Sequence, residues 1–379
     1  MKRLALILLS IVALFFVAEQ ISPCASLGRD DNEEALSRDD NEEALGRDNS
    51  PVISGEAEGE VGQSADIDVV EVIFDHIGDA YDWHITTVNG HHISIPLPVI
   101  VYSRTEGFHL FLSDKLAHGH SYAGFVIGPD GKVVEAATGA RPLLDISITK
   151  NVLALLISCG ILLWIILATA RWYRRHDVLK EKPTGIAALM EPLIMMVHDM
   201  ARENIGERDY RRFSPYLCMA FFFILLNNFL GIVPFFPGGA NLTGNIAVTL
   251  VLALFTFFTV NIFGSKHYYK EIFNPEVPVF LKPIMPVIEV FSALMKPVSL
   301  TIRLFANMMA GHIMILSMVC VIFIVAKYGS VILGSMSVVS VVFGVFLDAL
   351  ECLVAFIQAY VFTMLSSIYI GLARAHGDE

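Results

Sequence analysis

The sequence predicts an all-α polytopic membrane protein with about five membrane crossings, preceded by a small extramembrane α+β domain. Three observations carry that reading. Of the 379 residues 55% are hydrophobic, with mean hydropathy +0.60, the composition of a chain that lives in lipid. Apolar runs of membrane length recur between residues 151 and 372. Two of them, 287–327 and 331–372, are too long for an upright crossing: at ~1.5 Å per residue each exceeds ~55 Å, against a hydrocarbon core of ~30 Å. They must tilt steeply, as a flat helical hairpin inside the membrane.

Residues 1–25 read as a signal peptide. Lys2 and Arg3 form a basic start, residues 4–18 an apolar core too short to span comfortably, and Ser22, Ala25 and Ser26 supply small residues for cleavage. A lipid-modified Cys24 is the alternative, though Ile21-Ser22-Pro23 matches a lipoprotein signal poorly. The five cysteines have neither metal-site nor redox spacing; four lie in apolar segments, where cysteine acts as a small hydrophobe.

Residues 26–66 form an acidic tether. The nine residues 29–37 recur at 38–46, with Gly46 in place of Ser37, and the pattern starts again at Arg47. Such a segment buries too little apolar surface to offset its ordering entropy, so it is expected to be disordered. Residues 29–82 hold 18 acidic and three basic side chains, so the formal charge of −12 is local and the remainder is weakly positive. No basic stripe interleaved with aromatics is present, which argues against a nucleic-acid partner.

Residues 67–146 read as a small extracytoplasmic domain. A helix is expected over 66–79. Asn89-Gly90 marks a two-residue hairpin turn between strands at 83–87 and 91–95, and residues 128–131 a second turn between 125–127 and 133–136. The six histidines from His84 to His120 lack a metal-ligand spacing and read as solvated or core residues.

Residues 147–379 form the membrane domain. The first span, 151–170, ends at a basic cluster, Arg171, Arg174 and Arg175. Positive charge marks the cytoplasmic side, which places the preceding domain outside, in agreement with the signal peptide. Residues 183–210 carry an apolar stripe broken by Glu191, His198 and Asp199, an amphipathic helix on the cytoplasmic face. Spans follow at 216–233 and 246–264, with an uncharged loop between them and Lys266 and Lys270 after them. Four prolines in 271–286 make a connector that re-aims the chain into the hairpin.

The hairpin holds the chemistry. Arg303 is a fixed cation in a membrane-length apolar run, where a charged side chain costs about 2.5–3.5 kcal/mol on insertion scales. From 299 to 326 the other ionisable groups are His312 and Cys320; the second long run carries Asp348, Glu351 and the amide of Gln358. Basic, acidic and amide groups at membrane depth on adjacent segments point to an ion pathway. His312 follows Arg303 by nine residues, about 180° around an ideal helix. Glu351 and Gln358 are seven apart, on nearly one face, and Asn307 lies one turn from Arg303. A structural ion pair of Arg303 with Asp348 or Glu351 is the plain alternative.

Lys296-Pro297-Val298-Ser299-Leu300, Arg303-Leu304-Phe305-Ala306-Asn307, Ala310-Gly311-His312 and the run from Gln358 to Leu365 resemble the subunit a family of F-type ATP synthases, as do Asn227-Asn228, Gly231 and residues 241–245. The resemblance covers residues from 186 to the C-terminus and leaves the first 150 residues unexplained. It implies a stator that provides two aqueous half-channels to the carboxylates of a rotating ring of subunit c, with peripheral stalk subunit b, other ATP synthase subunits and lipid as partners. It places the chain in the cell inner membrane, with no cofactor or metal and no catalysis of its own. The family's essential arginine matches Arg303; its outer relay positions match Asn307, His312, Glu351 and Gln358; Glu289 matches a polar position linked to the inner half-channel. Many members carry the acid on the first helix and the imidazole on the second, and here the two are exchanged. Histidine suits proton relay near neutral pH, which favours H⁺ over Na⁺. A self-contained ion-coupled transporter is the other functional class, but it predicts an internal repeat of spans, and none is visible between 150–265 and 287–372. An envelope protein whose business is the N-terminal domain would leave Arg303 unexplained. The chain has no phosphate-binding glycine loop.

Overall fold

The computed structural model describes residues 78–374, apart from 89–90, 105, 129–130, 177–180, 234–237, 274–277, 279–281, 283 and 327–329. The signal peptide, the acidic tether and nearly all of the helix expected over 66–79 lie outside the described residues. The chain divides into two compact units: residues up to Lys150 with Ile313–Val345, and Asn151–His312 with Phe346 onward.

In the first unit, β1 (Asp82–Val88) and β2 (His91–Pro96) pair antiparallel with Val88 opposite His91, as the intervening Asn-Gly predicts. The register shifts between His84 and Thr86. Next come β3 (Pro98–Ser103), β4 (Gly107–Leu112), a 3-10 turn at Ser113–Gly119, β5 (Phe125–Ile127), β6 (Val133–Glu135) and β7 (Leu144–Asp145). A three-stranded antiparallel sheet runs β4-β3-β7, and β5 pairs β6 across the second expected turn. The sequence pattern does not predict β3, β4 and β7. Their near-unbroken apolar runs lack the polar alternation that marks a half-exposed strand.

Side chains alternate across β3, so Val99 and Val101 turn to one face. There they pack with Phe111, Leu116, Phe125, Val133 and Tyr81. Buried polar groups in this core are paired: Ser103 donates to Glu135, Thr138 Oγ1 donates to Glu135 Oε2 at 2.9 Å, and the Leu97 amide donates to Ser113 Oγ at 3.0 Å. Tyr81 donates to Asp145, and burial together with that carboxylate pushes its hydroxyl pKa up. Among the described residues no three His, Cys, Asp or Glu side chains converge as a metal site requires.

The second unit is helical. Its elements are α1 (Lys150–Arg175), α2 (Ile186–Ile205), α3 (Tyr210–Ile232), α4 (Ile246–Ile262) and α5 (Lys266–Phe273), with most of α6 (Met285–Ala326) and α7 (Ser330–Arg374). Among the described residues four helices are long and apolar enough to cross a membrane, and five if the bent pair α4 and α5 counts as one span. That bend is 99° and follows Gly264 and Ser265. The hairpin helices hold 42 and 45 residues, close to the lengths expected.

Local signals set several helix ends. Asn245 caps α4, its side chain accepting from the Ala247 amide at 3.0 Å. Gly206, at φ 90, ends α2 in a backbone conformation that L side chains rarely adopt. Phe213, Leu217, Phe221 and Ile224 of α3 form the centre of the core, packed with Ala253, Leu300, Leu304, Ala359 and Phe362 among others. Polar contacts then fix α7 against its neighbours. Tyr216 bonds Thr256 at 2.8 Å, Thr256 bonds Ser366 at 3.3 Å, and Asn204 Nδ2 donates to Ser367 Oγ at 2.9 Å. A Cβ on Gly371 would lie 2.1 Å from the Asn204 carbonyl oxygen, so only glycine lets α7 approach α2 this closely. At the end of α7, Arg374 pairs with Asp209 at 2.7 Å and donates to the Phe263 carbonyl at 3.3 Å, while the Ser265 amide donates to the Ala373 carbonyl at 2.8 Å.

Candidate functional site

Two contacts fix the antiparallel register of α6 against α7. His312 Nδ1 lies 3.1 Å from Glu351 Oε1, and Lys296 Nζ stands 5.2 Å from the Tyr369 ring centre. Between those contacts, the stretch from Arg303 to Asn307 comes level with the stretch from Gln358 to Phe362.

The His312–Glu351 pair is buried, with the two side chains 13% and 6% exposed. The approach is close but is not aligned as a hydrogen bond, and both Glu351 oxygens are buried without a hydrogen-bond partner. Gly311 makes room for the pair, and Gly231 borders it at ordinary contact distance. A Cβ on Gly311 would lie 2.7 Å from Glu351 Oε1, and one on Gly231 of α3 would lie 3.7 Å from His312 Nε2. Asn228, one turn before Gly231, donates its amide to the Ala355 carbonyl at 3.2 Å, one turn after Glu351 on α7. Its own carbonyl oxygen is buried and unpaired. The site is thus walled by α3, α6 and α7. Sequence reasoning names His312 and Glu351 but gives no role here to Gly231, Gly311 or Asn228. The signal available is two glycines and an amide inside apolar runs, where each needs a reason.

Arg303 lies on the other side of α6, as the nine-residue offset predicts. It is exposed, and among the described residues it has no ion-pair or hydrogen-bond partner. The expected alternative, a structural pair with Asp348 or Glu351, is not formed. Asn307 is exposed on the same stripe, with Ser299, Ala306 and Ala310. It therefore sits with Arg303 and away from the buried pair. Gln358 and Glu351 are both buried on α7, 7% and 6% exposed. Asp348, one turn before Glu351, has a buried carboxylate oxygen without a partner.

Near the start of α6 a small cleft is lined by Thr256, Asn261, Tyr268, Lys296 and Tyr369 among others. Glu289 stands within electrostatic reach of Tyr268. Along α6, Glu289 and this mostly apolar cleft lie toward its start and His312 with Glu351 lie further on, with Arg303 between them in sequence.

The family model described as ATP synthase A chain matches residues 152–371. The chain belongs to the ATP synthase A chain family. All six candidate residues fall within the matched range. Membership makes it a membrane-embedded, multi-pass subunit of a larger complex, one that is not itself catalytic. Among curated relatives, the ATP synthase subunit a of Pelodictyon phaeoclathratiforme is 42% identical over 278 residues, covering 69% of this chain and 78% of the relative. That of Chlorobium phaeobacteroides (strain DSM 266 / SMG 266 / 2430) is 40% identical over 304 residues, covering 74% and 85%. That of Anaeromyxobacter sp. is 38% identical over 271 residues, covering 69% and 60%. A second family model, described as a domain of unknown function, matches residues 72–151, the range that holds β1 to β7.

Proposed function

We propose that the chain is the ion-translocating stator of an F-type ATP synthase, supplying two half-channels to the carboxylates of a rotating subunit c ring, with Arg303 separating them. The observation that carries this reading is the open arginine. An unpaired cation on a membrane-length helix is costly, and nothing among the described residues offsets it. A carboxylate presented by another subunit would. In low dielectric the guanidinium attracts that carboxylate and keeps it ionised as it passes. Arginine does not give up its proton in proteins, so it also bars a direct leak between the channels.

His312 and Glu351, with Gln358 nearby on α7, form the relay of the outer channel. Asn307, beside Arg303, lines the path between that relay and the ring, where its amide can hydrogen-bond but not itself carry a proton. Glu289 serves the inner channel. The coupling ion is H⁺, since an imidazole facing a carboxylate carries protons and offers no cage for Na⁺. Subunit b of the peripheral stalk holds the chain in place. The chain sits in the cell inner membrane with its N-terminal domain outside and Arg374 inside.

Cysteine cross-linking tests the assignment. With Asn307→Cys in the intact complex and a cysteine beside the ring carboxylate, a bond should form across the interface. A chain that purifies alone and transports ions by itself would instead be a self-contained transporter. For orientation, Ser37→Cys should react with an impermeant thiol reagent from outside, and Ser265→Cys only after the membrane is opened.

A further inference from the structure

The β4-β3-β7 sheet is apolar on both faces. One face covers the domain core. The other presents Phe108, Leu110 and Leu112 of β4, Tyr102 of β3, and Leu144 and Ile146 at β7, which are 42% to 66% exposed. Register brings them together: Tyr102 lies opposite both Phe108 and Leu144, and Ile100 opposite Leu110. Asp145, between Leu144 and Ile146, instead accepts the Tyr81 hydroxyl. An antiparallel sheet with one buried face ordinarily turns polar residues outward. A contiguous apolar face of this kind marks an interaction surface.

What covers it follows from where the strand leads. The chain leaves β7 and enters the membrane helix α1 at Lys150, four residues after Ile146. There is no slack in between. The Ile146 amide donates to the Ile100 carbonyl at 2.9 Å, Ile148 to Pro98 at 3.0 Å, and Lys150 to Ala80 at 2.9 Å. Four residues reach at most about 14 Å, so the apolar face starts within reach of the lipid headgroups. Its chemistry suits that layer: aliphatic and aromatic side chains, among them exposed Tyr102, and exposed Arg104 one residue beyond β3.

We propose that this sheet face lies on the bilayer surface from which α1 departs, so that the domain is a monotopic anchor rather than a free head. The proposal needs only that α1 crosses the membrane, and it stands apart from the roles given to Arg303 and His312.

The test uses the full chain, with its native cysteines replaced, in lipid nanodiscs. Nitroxide labels at Leu110→Cys, Leu144→Cys and Ile146→Cys report the face, and one at Ala137→Cys, exposed on the β6 side, reports water. Accessibility is read with oxygen, which concentrates in lipid, and with a water-soluble nickel chelate. For a face buried in the headgroup layer, the three face labels should show oxygen dominance, with nickel accessibility about threefold or more below Ala137→Cys. Nickel accessibility equal to that of Ala137→Cys would overturn the proposal. Protection from both reagents would also overturn it, and would assign the face to another protein, whether a second copy or another subunit. Unchanged limited-proteolysis fragments in each labelled chain tie the readings to the folded domain.

Discussion

Arg303 and His312 stand nine residues apart on one helix and meet opposite surroundings. His312 faces inward, 3.1 Å from Glu351, beside Gly311, where a side chain would press on that carboxylate. Arg303 faces outward beside Asn307, with no partner among the described residues. The inward group is complete within this chain. The outward one has no partner among the described residues. The difference separates a contact made within this chain from a group that, on the proposed function, works against a partner subunit.

The sharpest way to break that contrast is to remove the outward charge. Arg303→Ala should abolish gradient-driven ATP synthesis in membrane vesicles while the complex still assembles. Arg303→Lys should fail nearly as fully, since a lysine readily loses its proton when desolvated. Near-normal synthesis by either variant would sink the role given to Arg303.

The inward side should respond more mildly. His312→Ala and Glu351→Ala should each slow synthesis about tenfold, the equivalent of ~1.4 kcal/mol on the limiting step. The exchange of the two, His312→Glu with Glu351→His, should recover more activity than either half. Strictly additive losses would mean the groups do not share a site. A smaller effect is expected at Gly311→Ala. Its methyl would press on the far end of Glu351, which can shift aside, so a loss of about threefold is expected, with assembly intact. Unchanged transport in that variant would show that the close approach of the pair is unimportant.

Much of this is legible from residues alone. Long apolar runs give the hairpin, and the isolated arginine stands out because charge at membrane depth is costly. Helical spacing by itself puts Arg303 and His312 on opposite faces. Other features are not legible. The 99° turn between α4 and α5 follows Gly264-Ser265, a pair that reads equally well as the end of a span. The family pattern groups Asn307 with the relay, whereas its position on α6 places it with Arg303. The outer face of the N-terminal sheet is hidden for a related reason. Val99-Ile100-Val101-Tyr102 is apolar at every position, so sequence cannot say which side is covered.

The smallest effect should come from the acidic tether. Deleting residues 28–61 should leave transport unchanged, because the segment has charge but no apolar anchor. Loss of transport in a deletion that still assembles would give the segment a direct part in the site.

Torque has a counterpart: whatever turns a ring loads the part that stays still with an equal and opposite push. On the proposed function that push would enter at the Arg303 stripe and travel along the hairpin, and the contacts at the last turn of α7 would resist it. Arg374 grips Asp209 before α3 and the Phe263 carbonyl at the α4–α5 bend, and the Ser265 amide ties the Ala373 carbonyl. An axial slide of α7 would have to break all three together. Sideways slip meets the backbone of Asn204, against which Gly371 is already seated. If the proposed function holds, the end of the helix would work as a bolt, and those residues would contribute stiffness under load.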